Sequence, residues 1–225
     1  MPTDVQSGDQ RPAGWGVTAW PLALLLFSLS IALWLLSLVG AVQEQAPLVL
    51  GVGWVPSLGV DLVFLIDGLS LLFALLVSGV GFFVSLYAAF YLRGHPLLKQ
   101  FYLYLLLFMI GMLGLVLAGN LITLFVFWEV TTVASYLLIG FDHESATARR
   151  SALQALLITA LGGLALLAGL ILLGAVAGTY DLMQILTARD QVQGHVLYTP
   201  ILILVLIGAF TKSAQLPLHF WLPNA

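Results

Sequence analysis

The sequence predicts an all-α membrane protein, with about six transmembrane helices and a β-hairpin on the outer side. Three observations carry that expectation. Of the 225 residues, 61% are hydrophobic and only 8% are charged, whereas a soluble domain has roughly 25% charged residues. Mean hydropathy is +1.10, which leaves too little polar surface to face water. Six apolar segments recur along the chain, and the basic residues between them fall almost entirely in alternate loops.

Residues 1–18 are polar and rich in Gly and Pro, and read as a flexible tail. The segments A to F follow at about 19–42, 68–92, 101–118, 121–141, 151–177 and 198–222. Each can cross a ~30 Å core at 1.5 Å per residue. Segment A is too long for the apolar core of a cleaved signal. Residues 47–66 carry two short β-rich runs around "VPSLG", the pattern of a hairpin. Asp67 comes next, with Ser70 three residues on. This is N-cap spacing for B, with an ion-uptake carboxylate as the sharper alternative. Between E and F, Leu182, Met183, Ile185 and Leu186 suggest a short surface helix with one apolar face. Asp181 and Gln184 have capping-box spacing at its start. Ala165 and Gly169 form a small-xxx-small pair on E, which predicts close helix packing.

Charge sets the orientation. Arg11, Arg93, Lys99, Arg149 and Arg150 share one side, Arg189 alone is on the other, and Lys212 lies within F. The positive-inside rule puts the N-terminus in the cytoplasm of a multi-pass cell (inner) membrane protein. Tyr87, Tyr91, Phe101, Tyr102 and Tyr104 beside the basic B–C loop read as an aromatic belt. A net charge of −3 without a basic run predicts no nucleic-acid partner. The absence of Cys excludes disulfides and thiolate chemistry. No metal-binding or phosphate-binding motif occurs, so no cofactor is expected.

Two charges inside apolar segments stand out: Glu129 in D and Lys212 in F. Each costs about 2.5–3.5 kcal/mol at a helix centre on insertion scales. Burying both independently would be uneconomical, so the two are expected to face each other and to remain ionised or trade a proton. Thr132 and Tyr136 lie on Glu129's helical face, and Gln215 and His219 at the same spacings from Lys212. Such groups can hold a file of waters through which protons hop. Pro217 cannot donate to residue 213, so F should kink or break just after the lysine. Broken membrane helices are tolerated where they line a hydrated cavity. The plainer alternatives are a structural ion pair, a packing kink at Pro217 and an interfacial His219.

At "FWEVTTVASYLLIGF" and "FTKSAQLPLHFWLPNA" the sequence resembles the antiporter-like subunits shared by Mrp-type sodium/proton antiporters and the membrane arm of respiratory complex I. "IDGLSLLFALLVSGVGFFVSLYAAFYL" and "AGNLITLFVFWE" extend the resemblance from about Asp61 to the end, and "TKSAQ…HFWLPNA" looks most similar to the A subunit of the Mrp complex. The resemblance implies the first, incomplete half of an inverted-repeat fold with one broken helix. It also implies a proton path that begins at Glu129 and Lys212 and continues at His219. Two departures stand against the family pattern: only one helix precedes the hairpin, and the chain stops before the first repeat is complete. The expectation is a fragment of a larger subunit or a degenerate product. The favoured function is a proton-translocating part of a multisubunit monovalent cation/proton antiporter, with other membrane subunits and the lipid bilayer as partners. The alternatives are a redox-driven proton-pumping subunit, the membrane subunit of an inorganic-carbon uptake system and a non-transporting scaffold.

Overall fold

The computed structural model describes residues 16–44, 47–55 and 60–225. Most of the expected polar tail and the tip of the hairpin lie outside the described residues. The elements are α1 (Gly16–Ser37), α2 (Val39–Glu44), β1 (Leu48–Val55), β2 (Val60–Ile66), α3 (Gly68–Tyr91), α4 (Leu98–Val116) and α5 (Leu121–Ile139). They continue with α6 (Ala146–Ala177), α7 (Leu182–Thr187), α8 (Arg189–Gln193) and α9 (Tyr198–Lys212). Five of the helices, α1 and α3 to α6, are long and apolar enough to span a bilayer, and α9 is a shorter apolar helix. Many large apolar side chains, such as Leu72, Phe83 and Phe90, face outward. With the five spans, this makes the chain a multi-pass membrane protein.

Segment A is divided: a tight turn at Leu38, whose N–H donates to the Leu35 carbonyl at 3.1 Å, separates α1 from α2. Segment E starts earlier than expected, because Ser145 accepts from the Ala148 N–H at 3.3 Å and caps α6 there. Arg149 and Arg150 therefore sit on the first turns of a helix rather than in a loop. Asp67 is a helix cap with both halves of a capping box present: Ser70 N–H donates to its carboxylate at 2.7 Å, and its own N–H donates to Ser70 Oγ at 2.8 Å. Asp181 makes only the first half, accepting from the Gln184 N–H at 2.9 Å. The apolar residues of α7 do not share a face: Ile185 and Leu182 pack inward, whereas Met183 and Leu186 are exposed. Tyr102 does not belong to an aromatic belt. It is fully buried in the core between α1, α3 and α4, where its hydroxyl donates to the Ser85 carbonyl at 2.8 Å.

β1 and β2 pair antiparallel, from Leu48 opposite Ile66 to Val55 opposite Val60. The turn between α4 and α5 ties this hairpin to the connection before α7. On one side, Gly119 N–H donates to the Val63 carbonyl and Leu65 N–H to that of Leu117. On the other, Leu121 N–H donates to Tyr180 and Leu182 N–H to Gly119. Asn120 accepts from Ile122 and Thr123 at the start of α5. Backbone groups at a membrane boundary are thus paired within the protein.

The helices that matter for the site pack side by side: α4 on α5, α5 on α6 and α6 on α9. Two adjacent glycines on α6 let both neighbours approach. A Cβ at Gly162 would collide with Thr211 of α9, and one at Gly163 would collide with the Glu129 carboxylate of α5. Further along, a Cβ at Gly169 would press on Leu204 and Val205 of α9 at 3.0–3.2 Å. This is the close packing expected of the small pair on segment E.

Candidate functional site

Segment F does not run to 222. Its helix, α9, ends at Lys212, and Ala214 takes a left-handed φ of 50°. Gln215 N–H then donates back to the Phe210 carbonyl at 2.9 Å, closing the helix end. Past this break the chain turns through Leu216-Pro217, a cis peptide, into a short 3-10 turn at Leu222–Asn224. Pro217 therefore lies beyond the break rather than inside a kinked helix. The returning chain repairs what the break frees. Trp221 Nε1–H donates to the Thr211 carbonyl at 3.0 Å. Gln154 of α6 reaches Phe220 and Asn224 from the other side.

Lys212 reaches across to α5. Its ammonium donates to Thr132 Oγ1 at 2.9 Å and to the Trp128 carbonyl at 3.4 Å, and it lies 5.3 Å from the centre of the Trp128 ring. Thr132 is almost fully buried and passes the contact on, donating to the Trp128 carbonyl at 3.1 Å. No ion pair within 4.0 Å joins Lys212 to Glu129 among the described residues. The expected face-to-face pair is therefore indirect. Glu129 turns toward Gly163 on α6, where Oε1 is buried without a protein partner among the described residues. The neighbouring Trp128 Nε1 is likewise buried and unpartnered among them.

A cavity of about 270 Å³ opens beside the ammonium, lined by Thr132, Ser135, Tyr136, Thr159, Lys212 and Trp221 among others. At about 30 Å³ per water, several waters fit, with hydroxyls to hold them. The structure thus brings Thr132, Tyr136 and Lys212 to one cavity, whereas Glu129, turned toward Gly163, lies outside its lining. It does not bring Gln215, Pro217 or His219 into the cavity: all three lie on the chain after the break, outside its lining. The expected stripe from Lys212 to His219 required an uninterrupted helix. Sequence reading missed Trp128, Gly162, Gly163 and Trp221. A glycine pair in the middle of a long apolar helix was a readable sign of close approach.

Comparison with known proteins places the chain's sequence and fold. Residues 118–225 match the family described as NADH:quinone oxidoreductase/Mrp antiporter, TM, and residues 52–102 match NADH-Ubiquinone oxidoreductase (complex I), chain 5 N-terminus. The chain is 44% identical over 220 residues to the probable A/B subunit of a K(+)/H(+) antiporter from Rhizobium meliloti, covering 96% of this chain and 21% of that protein. It is 46% identical over 213 residues to the A subunit of a Na(+)/H(+) antiporter from Alkalihalophilus pseudofirmus, covering 94% of this chain and 26% of that one. A chain in the structure of the Mrp complex from Dietzia sp. DQ12-45-1b superposes with a TM-score of 0.77 at 33% identity, over 92% of this chain and 24% of its own length. The chain spans about a quarter or less of the length of these relatives. A similar helical frame, both family matches and the relatives' identity lead to one placement: the chain belongs to the antiporter-like membrane-subunit family that Mrp antiporters share with NADH:quinone oxidoreductase.

Proposed function

We propose that this chain is the proton-translocating part of a subunit in a multisubunit Mrp-type antiporter, which exchanges a monovalent cation for protons. Its partners are the other membrane subunits of that complex. It moves ions rather than transforming a substrate. The N-terminus, the connection from Arg93 to Lys99 and the start of α6 at Arg149 and Arg150 lie on the cytoplasmic side of the cell membrane, as their basic residues favour.

The observation that carries the reading is Lys212 at the end of a broken helix. It is held by Thr132 on the facing helix and opens onto a hydroxyl-lined cavity. A lysine so held can lose or gain a proton without a fixed ion pair having to part first. Glu129, whose Oε1 is buried against α6, supplies the negative charge that responds to a proton's arrival. A proton arriving near Glu129 weakens its hold on Lys212, which then passes its own proton along the break. His219, past the break, is the onward group in this scheme.

The test uses the complete complex in inverted membrane vesicles, with cation-driven proton flux and protein abundance read together. Glu129→Gln and Lys212→Ala should each suppress flux at near-normal abundance. If the charges are only structural, single variants instead fail through poor folding, and Glu129→Gln with Lys212→Met recovers both abundance and flux. A double variant that transports at the parental rate overturns the proposal.

A further inference from the structure

A second cavity, of about 360 Å³, lies beyond the first on the side of the basic loops. It is lined by Gln100, Tyr104, Tyr136, His143 and Arg149, with Gly140 and Ala152 behind them. Both cavities run between the same three helices. On α4, Tyr104 lines the second cavity, and Phe108 and Met112, on the next two turns, line the first. On α6, Arg149 and Ala152 line the second, and Ala155 and Thr159 the first. Residues spaced three and four apart share one helix face. The two cavities therefore lie in succession along the same helix faces. Tyr136 alone lines both.

We propose that Tyr136 gates an aqueous route from the basic-loop side to Lys212, its ring dividing the two cavities and its hydroxyl available to bridge them. The outer cavity is polar at its mouth. Arg149 donates to the carbonyls of His143 and Glu144 at 2.6 and 2.9 Å, which holds the loop between α5 and α6 at the rim. Thr132, the partner of the Lys212 ammonium, lies one turn of α5 from Tyr136, a rise of about 6 Å. That interval suits one or two waters. The Tyr136 hydroxyl makes no hydrogen bond to another protein group among the described residues, so it is free to serve water on either side. A phenol can donate and accept at once, so the residue that blocks bulk water can also pass a proton. Swinging the ring aside opens the route, and returning it restores the partition.

This inference rests on the proton-path reading, but its test reads access and not transport, so the two can fail separately. Ser135 lines only the inner cavity and His143 only the outer one. In the full-length protein within its assembled complex, with other exposed thiols removed, Ser135→Cys and His143→Cys are made separately. Each is titrated with a small, charged, membrane-impermeant methanethiosulfonate reagent. With Tyr136 present, the inner cysteine should react slowly and from the same face as His143→Cys. Tyr136→Ala should speed that reaction roughly tenfold, the effect of about 1.4 kcal/mol on a barrier. Tyr136→Trp should slow it. Neither should change the rate at His143→Cys. Tyr136→Phe keeps the ring, so it should leave the inner rate unchanged while lowering proton flux. The proposal is overturned if the inner rate ignores residue 136, if the inner cysteine reacts only from the opposite face, or if it never reacts in any variant. Should Tyr136→Ala fail to assemble, Tyr136→Trp and Tyr136→Phe decide the same question.

Discussion

Gly162 and Gly163 are neighbours in sequence, yet alanine should do opposite things at the two positions. In α6 either replacement gains about 0.5–1 kcal/mol from the lower backbone entropy of alanine. At Gly163 the new Cβ collides with Glu129 Oε1 and stands 3.3 Å from its Cδ. The obstacle is the free end of a flexible side chain. The oxygen must move by more than about 1 Å to reach ordinary contact distance. A rotamer shift of that kind costs about 0.5–1.5 kcal/mol, so stability should barely change. At Gly162 the obstacle is the β-branched Thr211, whose Cβ cannot swing away. The helices must part there, at about 1–3 kcal/mol. Gly163→Ala should therefore assemble normally but lose proton flux, by roughly tenfold if the displaced carboxylate raises the barrier by about 1.4 kcal/mol. Gly162→Ala should lower thermal stability of the complex. Flux, abundance and thermal unfolding measured in parallel separate the two. Parental flux in Gly163→Ala would show that the carboxylate's place against α6 is irrelevant to transport. Equal destabilisation by the two alanines would refute the packing reasoning.

Two more outcomes follow from the same geometry. Thr132→Val removes the 2.9 Å partner of the Lys212 ammonium, a charge-assisted bond of about 1.5–3 kcal/mol; flux should fall, and Thr132→Ser should restore it, whereas equal flux in both variants would mean that the hydroxyl has no role. Cysteine placed at Ser145, the cap of α6, should be labelled only from the cytoplasmic side, and labelling only from outside would reverse the orientation.

Much of the frame was legible because it rests on apolar length and local caps. Asp67 with Ser70 marks the start of α3 by side-chain chemistry that needs no tertiary contact. The break after Lys212 was legible too, although Pro217 is not where the helix stops. The left-handed turn at Ala214 intervenes first, and no propensity rule singles out an alanine for that conformation. Helical spacing put Thr132 and Tyr136 on one face, and both line the cavity beside Lys212 because α5 runs unbroken through them. The same spacing failed for Gln215 and His219, because the helix had already ended. The indirect relation of Glu129 to Lys212 was out of reach. It depends on α6 standing between α5 and α9, with Gly163 turned toward Glu129 and Gly162 toward Thr211, the residue before Lys212, and a pairing rule based on charge alone takes no account of the helix between.

The proposed path needs a Lys212 that is held and can still exchange, and the Trp128 carbonyl is suited to both. That oxygen receives Thr131 Oγ1–H at 2.7 Å, Thr132 Oγ1–H at 3.1 Å and the Lys212 ammonium at 3.4 Å. As a residue within α5 it also faces the backbone N–H four residues on. A carbonyl has two lone pairs, so these donors share it, and the lysine has the longest reach of the three side chains. Water from the adjoining cavity can replace that weakest contact at little cost. Thr132 then remains the firm partner, and the Trp128 ring face favours a cation without fixing its direction. A direct carboxylate at this point would grip the ammonium far more tightly and would have to be broken at each proton transfer. With Glu129 set aside against Gly163, the ammonium's remaining N–H stays open to the cavity.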